Sequence, residues 1–188
     1  MYVSGRTRHV WRTYRPLESC DVNVSARTAP AASRLSLTAY VACASERKFR
    51  LEYPIGRVLF ETAGLINQLR VSPDGQRVVF LEHPVMGDTG GVVAMVDVNG
   101  RYTVLTRRFN HLVSLAFHPS GREIWFSAAE SGLQTSLWAV TLDGEERVLL
   151  RGAGALRIHD VSRDGRALIS QDKFQCAALV RPRGSREE

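Results

Sequence analysis

One stretch of this sequence concentrates side chains able to hydrogen-bond a ligand and glycines that let a backbone approach one: His83-Pro-Val-Met-Gly-Asp-Thr-Gly-Gly91. An imidazole and a carboxylate five residues apart can accept and donate hydrogen bonds to a ligand. The segment interrupts an otherwise regular pattern, and binding residues concentrate where packing does not dictate the residue. His83 and Asp88 are therefore candidate binding residues, although a strand connection with Gly at positive φ also accounts for the same letters. His118 is the third candidate; it opens a His-Pro-Ser-Gly turn, where capping the turn is a sufficient role. His111 and His159 fall near strand ends without a carboxylate at ligand spacing, so neither is assigned a metal.

Reaction chemistry is not indicated. The sequence contains no Gly-x-Ser-x-Gly elbow and no His-Glu-x-x-His site. The acidic residues Asp74, Asp164 and Asp143 occupy turns, as does Asn99, and lack the consecutive pattern of a calcium loop. Cys20, Cys43 and Cys176 are odd in number and widely spaced, giving neither a metal set nor a disulfide framework. No catalytic residue, cofactor or metal is expected.

The elements that must hold the candidate loop are short strands in serial units. Arg70-Val-Ser-Pro-Asp-Gly-Gln-Arg-Val-Val-Phe80 joins two apolar strands through a Pro-Asp-Gly turn. The pattern returns 46 residues on, from Asp74 to Ser120, and again after 44, at Asp164. Asn99-Gly100 and Asp143-Gly144 mark a second hairpin in the first two units and predict two-residue turns. Val58 to Asp74, Val104 to Ser120 and Val148 to Asp164 are each 16 residues. Two extra residues separate turn from hairpin in the first unit, and they fall in the Met86–Gly91 loop. Constant strand spacing with insertions confined to loops is the mark of a stacked repeat, and a period of roughly 40 to 50 residues of short strands indicates a propeller.

The predicted fold is all-β: a partial β-propeller with two complete four-stranded antiparallel blades, at about 64–107 and 110–151, and partial flanking blades, one at 155–181. Trp125 and Trp138 lie in apolar strands and are expected to pack between blades. Propellers close with roughly four to eight blades. This stretch supplies too few to close, so further blades in a longer chain or another subunit are expected partners.

Residues 1–50 carry nine Arg/Lys against three Asp/Glu, whereas 51–188 carry sixteen of each, so the net charge of +6 belongs entirely to the first fifty. That segment lacks a sustained period and is expected to be a disordered basic arm; its composition also matches a transit peptide or a reading frame begun too far upstream. The neutral repeat region argues against a nucleic-acid partner. No apolar run approaches the ~20 residues that cross a bilayer, and no signal peptide is read, which implies a cytoplasmic chain, or an extracytoplasmic one if a membrane-anchored parent carries it.

Strand–Ser-Pro-Asp-Gly–strand units with a later Asx-Gly hairpin resemble the TolB-like, WD-repeat-like β-propeller repeats of bacteria over residues 54–188. Tyr53-Pro-Ile-Gly-Arg-Val-Leu-Phe-Glu-Thr62 and His83-Pro…Gly-Asp-Thr-Gly-Gly91 resemble the propeller that follows the catalytic domain in some bacterial serine/threonine protein kinases. That resemblance implies a sensory or interaction role toward a protein or peptide. It does not carry kinase activity, because the Gly-rich ATP loop, His-Arg-Asp and Asp-Phe-Gly are missing. The alternative expectation is the detached propeller of a peptidase or other hydrolase, gating access to an active site held elsewhere.

Overall fold

The computed structural model describes residues 40–44, 48–54 and 56–173. Thirteen strands form four antiparallel sheets among them, with no helix. The first sheet holds β1 (Tyr40–Ala44), β2 (Lys48–Glu52) and β3 (Val58–Thr62). Blade 1 holds β4 (Leu65–Val71), β5 (Arg77–His83), β6 (Val92–Asp97) and β7 (Tyr102–Val104) in that order. Blade 2 repeats it with β8 (His111–Phe117), β9 (Glu123–Ala129), β10 (Ser136–Thr141) and β11 (Glu146–Leu150). A last hairpin pairs β12 (Ala155–Val161) with β13 (Ala167–Asp172). This is a partial propeller with two complete four-stranded blades, as the repeats predict.

Three apolar cores alternate with the sheets and hold them in series. The first joins Phe49, Leu51 and Tyr53 to Ile66, Val78, Phe80 and Val96. The second joins Val79, Leu81 and Val93 to Leu115, Ile124, Phe126 and Trp138, and the third joins Ala116 and Leu137 to Leu156, Ile158 and Val161. Successive residues of β5 therefore enter different cores, Val78 and Phe80 on one face, Val79 and Leu81 on the other. A strand buried on both faces has no room for polar alternation, which is why Val-Val-Phe-Leu is continuous. Trp138 lies in the second core and Trp125 packs against the third, so both serve packing between blades.

Three expectations need correction. The basic arm was expected to run to residue 50, yet Tyr40–Ala44 and Lys48–Glu52 are paired strands. In β2 the apolar period of two, Phe49 and Leu51, is interleaved with Lys48, Arg50 and Glu52, and Lys48 and Arg50 pair with Glu61 on β3. A charged outer face masked a buried inner one. The remainder of the arm, residues 1–39, and the end of the third unit, 174–181, lie outside the described residues.

The Asn99-Gly100 and Asp143-Gly144 hairpins are not two-residue turns. Gly100 N–H donates to Asp97 O at 2.9 Å while Asp97 N–H donates to Arg101 O at 3.2 Å, enclosing three residues, and Gly100 alone turns to positive φ (84°). Thr141 to Glu145 repeats this geometry around Gly144. A type I′ turn needs positive φ at both central residues, and Asn99 does not supply it; a type I turn followed by a left-handed Gly forms instead.

The third Ser-x-Asp-Gly turn is one residue tighter than the first. Ser72 N–H reaches Arg77 O, five residues on, but Ser162 N–H reaches Arg166 O, four residues on. Shifting a strand by one residue exchanges its faces. Ile169 on β13 thus packs toward blade 2, whereas Leu168, which the repeat would place inside with Val78 and Ile124, is 63% exposed.

Candidate functional site

The first strands of successive sheets, β4, β8 and β12, lie against one another and so converge on the propeller axis. Each carries one extra residue relative to its partner, between Asn67 and Arg70, between Leu112 and Ser114, and between Ile158 and Asp160. Such bulges re-aim side chains. In β4 the bulge places Gln68 at φ 53°, the only left-handed non-glycine among the described residues.

The ends of these strands, together with the His83–Gly91 loop, enclose an open cavity of about 280 Å³. Asn67, His83, Asp88, His111 and Arg157 line it. The loop is strapped onto β8: Leu112 N–H donates to Thr89 O at 3.0 Å, and Gly91 and Phe109 exchange backbone hydrogen bonds at 3.0 and 2.9 Å. A Cβ on Gly91 would stand 2.2 Å from Glu82 O, so only glycine permits that approach. The connection is a fixed wall rather than a loose tether.

His83 is buried at 3% exposure, with Nδ1 3.2 Å from Gly90 O. A carbonyl only accepts, so Nδ1 carries the proton and Nε2 is left as an acceptor. Burial holds its pKa below the ordinary imidazole value, against smaller raising contributions from Gly90 and Asp88. His111 is shifted the same way, first by burial and then by the Arg157 charge. Asp88 Oδ1 accepts from Gly90 N–H at 2.9 Å and Oδ2 pairs with Arg108 at 2.7 Å. Those contacts, the Gly90 N–H foremost, hold its carboxyl below the usual range. Three of the lining residues each carry a polar atom that is sealed from solvent and has no hydrogen-bond partner in the protein: Asn67 Oδ1, His83 Nε2 and His111 Nδ1.

Of the three residues singled out from sequence, His83 and Asp88 share this cavity and His118 does not. His118 follows the far end of β8, about 20 Å along the strand from His111. Its Nδ1 lies 2.9 Å from Ser120 Oγ and its ring centroid 5.3 Å from that of Trp125, which is the turn-capping role its sequence position suggests. Sequence reasoning did not single out Asn67 or Arg157, and it weighed His111 only as a metal ligand. Asn67 and Arg157 do stand at the same offset from their turns, seven residues before Asp74 and Asp164, whereas His111 lies two residues before the corresponding position, Val113, so the repeat alone does not group the three.

Outside the cavity the same end of the blades exposes Val85 (53%) and Met86 (57%) at the loop tip and Leu133 (69%) in the β9–β10 connection. Arg107, in the β7–β8 connection, bridges Glu130 and Glu146 at 2.7 and 3.0 Å and lies over the Phe109 and Trp138 rings. No group of three or more His, Cys, Asp or Glu side chains suited to a metal exists among the described residues.

No protein-family model matches the chain, and no curated protein matches it in sequence. Solved structures do. TolB from Acinetobacter baumannii superposes with a TM-score of 0.57 at 16% identity, over 72% of this chain and 36% of that one. A putative TolB from Agrobacterium tumefaciens gives 0.53 at 20% identity, over 66% and 46%. A prolyl endopeptidase from a structural and mechanistic study of two such enzymes gives 0.56 at 17% identity, over 78% and 26%. The chain spans less than half the length of each of these neighbours, and it shares with them the fold of a TolB-type propeller.

Proposed function

We propose that this chain is a non-catalytic interaction module whose loop-bearing end contacts a protein or peptide. The observation that carries the reading is the pairing, on one end of rigid stacked sheets, of exposed apolar loop tips with a polar cavity at the axis. Apolar contacts supply area and the cavity supplies orientation, the usual division of labour in a recognition surface. The resemblance of segments 53–62 and 83–91 to the propeller that follows the catalytic domain in some bacterial serine/threonine kinases is what supports a sensory role beside such a kinase. The likeness to a prolyl endopeptidase supports a second reading, in which the propeller belongs to a hydrolase and controls entry to its active site.

The test has two steps. The reading frame flanking this sequence is examined for an in-frame kinase or serine-hydrolase domain, the first favouring the sensor and the second the gate. The full chain and a Val85→Asp, Met86→Asp variant are then compared for binding to that domain and its substrates. Loss of binding with an unchanged circular dichroism spectrum is the expected result. Equal binding by both proteins, or peptide turnover by this chain alone, overturns the interaction reading.

A further inference from the structure

The loop that presents Val85 and Met86 is fastened to the sheets by polar contacts. No residue of 84–91 enters any of the three apolar cores. Its fastenings are Leu112 N–H to Thr89 O at 3.0 Å, the exchanged backbone bonds of Gly91 and Phe109, the Asp88–Arg108 pair, and His83 Nδ1–H to Gly90 O at 3.2 Å. A segment held in this way can open while the packed strands stay closed, because opening it exposes little apolar surface. Of these fastenings, the imidazole alone is of a type that changes charge near neutral pH.

His83 occupies a position that disfavours a second ring proton. It is 3% exposed, and Nε2, the atom that would take the proton, is sealed from solvent with no hydrogen-bond partner in the protein. The charged groups around it do not compensate. Asp88, on the loop itself, favours the imidazolium, but Gly90 N–H and Arg108 already engage its two oxygens. His111, on β8, opposes a second positive charge, and Arg157, on β12, bears on His111 in the same sense. Glu82 precedes His83 on β5, points to the opposite face as successive strand residues do, and is held by Tyr102 and Thr62. The other polar residues of the cavity wall, Asn67, Gln68 and Thr89, do not titrate. Burial, foremost, lowers the affinity of this ring for a proton; lifting the loop gives the ring water and restores it. The open form therefore binds the proton that the closed form resists, and acid shifts the balance toward opening.

We propose that His83 is an acid-sensitive latch: when it takes up a proton, the 84–91 loop and its Val85–Met86 tip come away from β8 while the blades stay packed. This deepens the interaction reading and rests on it for its consequence, that a protein or peptide held through Val85 and Met86 loses affinity as the open form gains population. The open form titrates near the ordinary value of about 6.5, so opening grows below that pH by up to about tenfold per unit for one imidazole. It levels off once the closed form is protonated as well.

Amide hydrogen exchange of the full chain, corrected at each pH for the intrinsic rate, tests this between about pH 7.5 and 5.5. The Gly91 and Leu112 amides are expected to be at least about tenfold less protected than those of β9 at every pH, and to lose a further three- to tenfold on acidification. His83→Asn keeps an N–H in place of Nδ1 and does not titrate, so its loop protection should be independent of pH. His111→Gln retains His83 and should keep the response. Loop amides that exchange at the rate of β9 would mean that the loop opens only with the whole fold, and would overturn the proposal. Protection that is the same at both ends of the range overturns it too, as does a response kept in His83→Asn or lost in His111→Gln. The interaction reading is tested separately, at neutral pH, by the Val85→Asp, Met86→Asp variant. Binding lost in that variant, with loop exchange insensitive to acid, leaves the reading standing while the latch fails. Acid-sensitive exchange, with equal binding by that variant, does the reverse.

Discussion

Burial lowers the pKa of two imidazoles, His83 and His111, and this sets a pH dependence of stability. In the unfolded chain both regain the ordinary value near 6.5. Below about that pH the unfolded state binds more protons than the folded one, so stability is full above it and falls as the medium is acidified. The depressed carboxyls of Asp74, Asp88, Asp97 and Asp164 act only at lower pH, below about 4. Thermal unfolding of the parent chain should therefore lose midpoint temperature between about pH 7 and 5, and a His83→Gln, His111→Gln variant should show a flatter profile there. A second residue test concerns Glu82, buried at 8%, which accepts from Tyr102 Oη at 2.6 Å and from Thr62 Oγ1 at 3.1 Å. It ties β5 to the outer strand of its own blade and to the preceding sheet. Tyr102→Phe should cost about 1.5 kcal/mol in urea unfolding, the low end for a bond to a charged group because the ring is partly exposed.

The bulged first strand is the element on which the cavity depends. Gln68 adopts a left-handed φ that costs a non-glycine residue about 1–2 kcal/mol, more if it is β-branched. Gln68→Val is expected to destabilise by the excess that a β-branched residue pays there over glutamine, about 1 kcal/mol, while Gln68→Gly leaves the urea midpoint unchanged or raises it; equal destabilisation by both would show that the side chain, not the backbone, matters there. The loop that closes the cavity depends on Gly91 in the same way, with Glu82 O too near for any Cβ. The repeat pattern announced these strands, and their order is the one its spacing predicts. Bulges were not legible, because an extra residue in one strand is defined only against its partner.

At the scale of the molecule, three cores hold four sheets in series, and each complete blade is covered on both faces. The last hairpin is different: its tighter turn points Leu168 away from blade 2, where it is 63% exposed. In a closed ring that face meets another sheet. The 188-residue chain alone should therefore self-associate in a concentration-dependent way by analytical ultracentrifugation, and Leu168→Lys should shift it toward monomer without altering its circular dichroism. Unchanged association in that variant would place the contact elsewhere.

What the amino-acid order determined was local and periodic: where strands run, which turns join them, and that the same unit recurs. Those properties follow from the two-residue alternation of side chains and from Pro, Asp and Gly at turns, both of which act over a few neighbours. Tertiary structure decided which residues of different repeats meet. Asn67, His111 and Arg157 stand 44 and 46 residues apart, and only the convergence of β4, β8 and β12 on one axis brings them to a common cavity with His83. It also separated His118 from that group, since the two ends of a strand are equally near in sequence but face opposite ends of the propeller.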